Sequence, residues 1–301
     1  MTYDLRKAHG KAMGKVIAIC GKGGVGKTTV SAILACALSR GLASPEFWGQ
    51  TPSAKLGLRG RGLTPRGLTP ATTPAQALST RKGLKVLLID ADPAGGLAMA
   101  LGISAKRSLN QVRKDTIRAI KKGQRGKKEI AMSIDYLLME ALSEKGNLAF
   151  LSIGRPEEIG CFCPVNSLLR SAIEMLADNF DVTVIDAEAG IEQVNRKVMA
   201  SVNNLVLVSD VSAKGIKVAE TIKKVAKKVT GQDAIGLLIN RARSEKEISQ
   251  IRSHTKLNII GSIPEDETIR KFDSNELSFL NLPPCPAYKA VVKAFENEKI
   301  L

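Results

Sequence analysis

The chain predicts a doubly wound α/β fold, with a mainly parallel sheet of about seven strands flanked by helices. Seven apolar, β-rich runs recur along its 301 residues. Most are near-continuously apolar rather than alternating, as expected for strands buried on both faces of a parallel sheet. Helical patterns separate them, and a glycine-rich loop follows the first run directly, at the strand end where such folds bind ligands. The length permits a sizeable core, and the repeated strand-then-helix pattern favours one domain over 1–301.

In chain order, Lys15–Cys20 (KVIAIC) reads as a buried strand and Lys27–Arg40 as a helix. Between them, Gly21 to Thr28 fits the phosphate-loop pattern G-x-x-x-x-G-K-[ST], with Val25 inside it and Thr29 just beyond. Gly21, Gly23, Gly24 and Gly26 let the chain curl with its N–H groups inward, a nest for nucleotide phosphates. The helix beyond Lys27 adds its positive end to that nest. Lys27 has the reach to meet the β- and γ-phosphates, and the Thr28 hydroxyl is a natural Mg²⁺ ligand. Lys22, at the loop tip, cannot easily fold back onto its own loop's phosphates but could reach those of a facing subunit.

Residues 44–82 break the pattern. They hold five of the twelve prolines and the single tryptophan, Trp48, and they repeat Gly-Leu-Thr-Pro at 62–65 and 67–70. Such composition opposes helix and sheet and predicts a flexible surface insertion, with a functional lid as the other reading.

Further strands are expected at Leu84–Asp90, Asn147–Ile153, Asp181–Asp186, Asn204–Asp210, Ile235–Asn240 and Leu257–Ile263, and helices at Asn166–Ala177, Lys214–Val229, Lys246–Ser253 and Ala287–Asn297. Two strands end in carboxylates: LKVLLIDADP carries Asp90 and Asp92, and DVTVIDAEAG carries Asp186 and Glu188. A phosphate-loop enzyme needs one carboxylate near Mg²⁺ and another to orient the attacking water, although strand-end aspartates also cap helices. IGLLINR ends in Asn240 and Arg241, and the Asn240 amide could pair with the N6/N1 edge of adenine. No N-K-x-D guanine signature occurs, which favours ATP and ADP over guanine nucleotides.

The net charge of +16 is lopsided. Residues 151–301 balance 20 basic against 20 acidic side chains, so residues 1–150, with 25 basic and 9 acidic, carry all of it. The densest stretch, Lys106 to Lys128, has ten basic residues against Asp115 alone. Without interleaved aromatics it offers no platform for base stacking, which weighs against nucleic acid and leaves an acidic protein partner or a plain solvated face. No run is long and apolar enough for a membrane span, and no signal peptide opens the chain, so a cytoplasmic protein is expected. Five cysteines without framework spacing suit a reducing compartment.

Cys161 and Cys163 stand two apart, and in an extended segment their side chains share one face. Alone, the pair is as consistent with structural cysteines. Two-fold symmetry would bring four thiolates together, a set suited to Zn²⁺ or, near-planar, to Ni²⁺.

The pattern K-G-G-x-G-K-T-T resembles the deviant Walker A motif shared by the nitrogenase iron protein, MinD and ParA. The run G-C-x-C-P-x-N-x-L-L-R, followed by D-A-E-A-G-I-E, closely resembles the CooC-type nickel-insertion ATPases of carbon monoxide dehydrogenase maturation. The resemblance covers roughly 14–43 and 83–300. It implies a P-loop ATPase that dimerises on ATP, with Lys22 acting across the interface, Asp92 positioning the nucleophilic water, and Asp186 near Mg²⁺ with Gly190 as its flexible glycine. It further implies an Asn240–Arg241 contact to the base, Cys161 and Cys163 on nickel or zinc at the dimer interface, and carbon monoxide dehydrogenase as client. Two departures stand out: the 44–82 insertion, and Gln193 where the family's G-I-E-H run has histidine. An iron–sulfur reductase would need a second cysteine soon after Asp186, and none occurs between Cys163 and Cys285. A ParA- or MinD-like positioning ATPase, binding DNA or a membrane partner, leaves the Cys161–Asn166 run unexplained.

Overall fold

The structure is a computed structural model, and it describes residues 15–41, 83–92, 94–121, 127–155, 173–187, 202, 204–230 and 236–298. The 44–82 insertion, Cys161, Cys163, Glu188, Gly190 and Gln193 lie outside the described residues.

Eight strands form one sheet: β1 (Lys15–Gly21), β2 (Val86–Asp90), β3 (Ser143–Lys145), β4 (Leu148–Ser152), β5 (Val182–Asp186), β6 (Asn204–Ser209), β7 (Gly236–Ala242) and β8 (Ile259–Pro264). Their order is β3-β4-β2-β5-β1-β6-β7-β8. All neighbours pair in parallel except β3, which runs antiparallel to β4. The seven expected strands are therefore present, and β3 is the eighth. Its three residues, Ser-Glu-Lys, leave the last two exposed and carry no apolar signal.

The central strand shows why the runs are continuous. Val16, Ala18 and Cys20 of β1 join one core, and Ile17 and Ile19 join the other. The first face is covered by α3 (Leu109–Lys121), α4 (Lys127–Ala141), α5 (Ala213–Thr230) and α6 (Glu245–His254). The second is covered by α1 (Lys27–Arg40), α2 (Gly96–Leu101) and α8 (Pro286–Asn297). α1 is packed by α2 and α8 as well as by the sheet, so it is apolar nearly all round, as such a buried helix must be.

One carboxylate pins two helix starts. Asp266 precedes α7 (Glu267–Ser274), where its Oδ1 accepts from Thr268 N at 2.8 Å; its Oδ2 accepts from Ala287 N at 2.8 Å, in the first turn of α8. Each cap is worth about 1 kcal/mol. This places α8 against β8, its most extensively contacted strand. No helix among the described residues is long and apolar enough to cross a membrane.

Candidate functional site

β1 lies between β5 and β6, so its C-terminal end opens where the chain turns from one half of the sheet to the other. The loop between β1 and α1 occupies this crevice. A Cβ at Gly21 would lie 2.1 Å from the Val208 carbonyl oxygen of β6, so only glycine permits the close strand approach. Gly26, just before α1, has φ 89°, and a Cβ there would meet Asn240 Nδ2 at 2.2 Å. Lys27 is 8% exposed, and its Nζ donates to the Lys22 carbonyl at 3.1 Å, so the side chain curls back across its own loop. Lys22 is half-buried, as are Thr28 and Thr29, while Gly23 and Gly24 are exposed.

The end of β7 braces the same loop. Asn240, 7% exposed, donates from Nδ2 to the Val25 carbonyl at 2.8 Å, and its Oδ1 accepts from Arg241 N at 3.0 Å. Arg241 takes left-handed backbone geometry, φ 59°, unusual for a non-glycine residue, and its Nη1 donates to the Gly24 carbonyl at 3.4 Å. Both loop carbonyls are thereby held by side chains of β7. The two residues expected to meet adenine thus also hold the phosphate loop, a contact 215 residues apart in sequence.

Asp90 and Asp186 face each other in the β2–β5 register. Asp186 is 1% exposed; its Oδ1 accepts from Ser31 Oγ at 3.1 Å, and its Oδ2 has no hydrogen-bond partner. Asp90 is fully buried, accepting at Oδ1 from Asp92 N at 3.1 Å, again with an unpartnered Oδ2. Asp92, less buried, accepts from Ala94 N at 2.8 Å through one carboxylate oxygen. Ser31 was not anticipated. Its place one turn after Lys27, on the buried side of α1, was the available signal.

Burial pushes the Asp186 carboxyl up to about 6, against the opposing pull of Thr28, Ser31 and Lys27. Burial, and then the Asp186 charge, push Asp90 up to about 7. Both values lie above the unfolded carboxyl near 3.8, so the folded chain keeps protons that the unfolded chain has lost between about pH 4 and 7. The pair's contribution to stability is full below that window and is lost as pH rises through it. Asp90→Asn keeps the Oδ1 acceptor and removes the charge. In the nucleotide-free protein it should raise the melting temperature by a few degrees at pH 8 and leave it unchanged at pH 4, read by differential scanning fluorimetry. An equal shift at both pH values would contradict the assignment.

The orphaned Asp186 oxygen, on a carboxylate beside Thr28 and Lys27, is a hard oxygen donor that fits Mg²⁺. The remaining cysteines do not suit a metal. Burial raises Cys20 to about 12, and Cys36 and Cys285 to about 11, so these thiols stay protonated. Cys20 and Cys36 are core residues, and Cys285 is a buried residue preceding α8. Among the described residues, no group of three or more His, Cys, Asp or Glu could hold a metal ion.

Residues 69–279 match the family described as the CobQ/CobB/MinD/ParA nucleotide binding domain. Residues 14–44, which contain the phosphate loop, match the anion-transporting ATPase family. The chain is 29% identical over 275 residues to an uncharacterized ATP-binding protein of Methanocaldococcus jannaschii, covering 89% of this chain and 91% of that one. It is 26% identical over 285 residues to the carbon monoxide dehydrogenase accessory protein CooC of Rhodospirillum rubrum, covering 91% and 92%. Its fold matches that of the septum site-determining protein MinD of Pyrococcus horikoshii, solved with Mg-ADP, at TM-score 0.58 and 20% identity over 95% of this chain and 96% of that one.

Proposed function

The chain belongs to the CobQ/CobB/MinD/ParA nucleotide-binding family of P-loop ATPases, and from that premise we propose that it is a metal-delivery ATPase. In this reading a Mg-ATP-dependent homodimer binds Ni²⁺ or Zn²⁺ through Cys161 and Cys163 and assists nickel insertion into carbon monoxide dehydrogenase or a related nickel enzyme. The observation that carries it is the C-x-C run, G-C-F-C-P-V-N, within a chain similar to a carbon monoxide dehydrogenase accessory protein across 91% of its length.

The residues divide the work as follows. Loop N–H groups from Gly21 to Thr29 and the start of α1 cradle the phosphates. Lys27, buried in the loop, counters the charge of the β- and γ-phosphates. Thr28 and Asp186 would hold Mg²⁺, which supplies charge neutralisation when bound. Asp92, with one carboxylate oxygen held by Ala94 N, uses the other to orient the water that attacks the γ-phosphorus. Lys22 lies at the loop tip to meet the partner's nucleotide. Asn240 keeps one N–H and one lone pair for the adenine edge while it holds Val25. Closure of two chains on ATP then brings four thiolates around one cation, and hydrolysis reopens the pair for transfer.

The test is metal analysis of the protein loaded with non-hydrolysable ATP. We expect one nickel or zinc per two chains, lost in the Cys161→Ala, Cys163→Ala double variant while nucleotide binding is retained; unchanged metal content would sink the proposal. A positioning ATPase of ParA or MinD type is the second reading, favoured by the +16 charge gathered in residues 1–150. It predicts ATP-dependent, salt-sensitive DNA binding and no bound metal.

A further inference from the structure

Away from the nucleotide crevice, α3, the turn before it and the end of α4 line an open cleft of about 800 Å³. Lys106, Arg107, Lys114 and Arg118 line it together with Asp115 and Glu140, four cations against two carboxylates. The two carboxylates are turned to the same cation: Arg107 pairs with Asp115, and its Nη1 lies 3.6 Å from Glu140. Arg118 is 74% exposed, reaching back only to Asp115 at 3.5 Å, and Lys106 is exposed. Positive charge at the mouth therefore exceeds what the cleft's own carboxylates answer.

An aromatic ring stands beside the cleft. Tyr136 of α4 is 64% exposed and lies one helical turn before Glu140, on the same helix face. An exposed tyrosine beside arginine is in keeping with a protein-docking surface. A nucleic-acid strand is a poorer match, because none of the described residues lining the cleft is aromatic and unpaired bases have no stacking platform inside it.

The cleft is tied through β4 to β2, the strand that ends at Asp90. Ser108, at the head of α3, bridges to Ser152 at the end of β4, and Ile153 N donates to the Asp90 carbonyl at 2.8 Å. The turn that opens α3 is thereby bonded, through the end of β4, to the strand that ends at Asp90.

We propose that the α3–α4 cleft docks an acidic segment of a partner protein whose carboxylates meet Lys106 and Arg118 and whose apolar side chains lie on Tyr136. The inference does not depend on the metal-delivery reading, since it is tested without metal or nucleotide. The probe is a fluorescein-labelled peptide of repeating Glu-Glu-Leu, titrated with the full chain and followed by anisotropy, beside a Gln-Gln-Leu peptide and single-stranded oligo-dT. Saturable binding of the glutamate peptide is expected, weakened by added salt, with far less binding of the glutamine peptide. The Lys106→Glu, Arg118→Glu double variant, changed only at exposed positions, should lose about tenfold or more in affinity while its melting temperature and ATP binding stay unchanged. Equal affinity of the variant and the parent, or of the two peptides, would overturn the proposal. So would tighter binding of oligo-dT that is lost in the same variant, which would make the face a nucleic-acid surface.

Discussion

Lys27→Ala is expected to lower ATP turnover by about a hundred- to a thousandfold, the usual cost of removing one preorganised charge from a transferring group. The effect should be large because Lys27 is 8% exposed and already aimed across its loop, 3.1 Å from the Lys22 carbonyl. Little reorganisation is then needed when phosphate replaces the carbonyl as its partner. The same substitution removes a cation whose charge acts on Asp186, one oxygen of which has no partner. Phosphate release measured against titrated ATP binding checks it. A Lys27→Ala protein that turns over ATP at the parent rate would remove the loop from the active site. Lys22→Ala tests the neighbouring role separately, because its loss should appear in nucleotide-dependent dimerisation and turnover rather than in ATP binding by one chain.

Gly26→Ala should abolish tight nucleotide binding, with a loss of about a hundredfold or more, for two separable reasons. The backbone sits at φ 89°, where an L side chain is strained, and the new Cβ would meet Asn240 Nδ2 at 2.2 Å. Adding Asn240→Ala removes the collision and leaves the backbone strain, so the double variant should recover part of the affinity and not all of it. Asn240→Ala alone frees the Val25 carbonyl and loosens the loop. It is therefore expected to weaken inorganic tripolyphosphate as well as ATP. Calorimetric titration of both ligands separates the roles: a loss confined to ATP would make Asn240 a reader of the base only.

Much of this site is legible in the chain because its chemistry is contiguous. Gly21 to Thr29 encodes a turn, a nest and a helix start within nine residues, and the strand on one side and helix on the other are equally local. The parallel strands are legible for a related reason. Burial on both faces leaves unbroken apolar runs, and these match β1, β2 and β4 to β8 to within one or two residues at each end. Elements without that pressure escape notice. β3 is three residues at a sheet edge, α2 is six residues, and α7 buries none of its side chains.

The residues alone determined the fold class, the phosphate loop, the strand-end aspartates as candidates and the placement of positive charge in the first half. Each rests on neighbours in sequence, where spacing and local sterics decide the outcome. Only the tertiary structure decided how distant pieces answer one another. Strand register sets Asp90 opposite Asp186 and leaves each with an unpartnered oxygen. The end of β7 reaches back to grip the Val25 and Gly24 carbonyls, and Asp266 caps two helices whose starts lie some twenty residues apart. The packing of α3 on α4 turns a basic run into a charged cleft with an exposed tyrosine beside it. Such contacts carry no local signature, because the partner of each group is chosen by sheet order and helix packing rather than by the residues beside it.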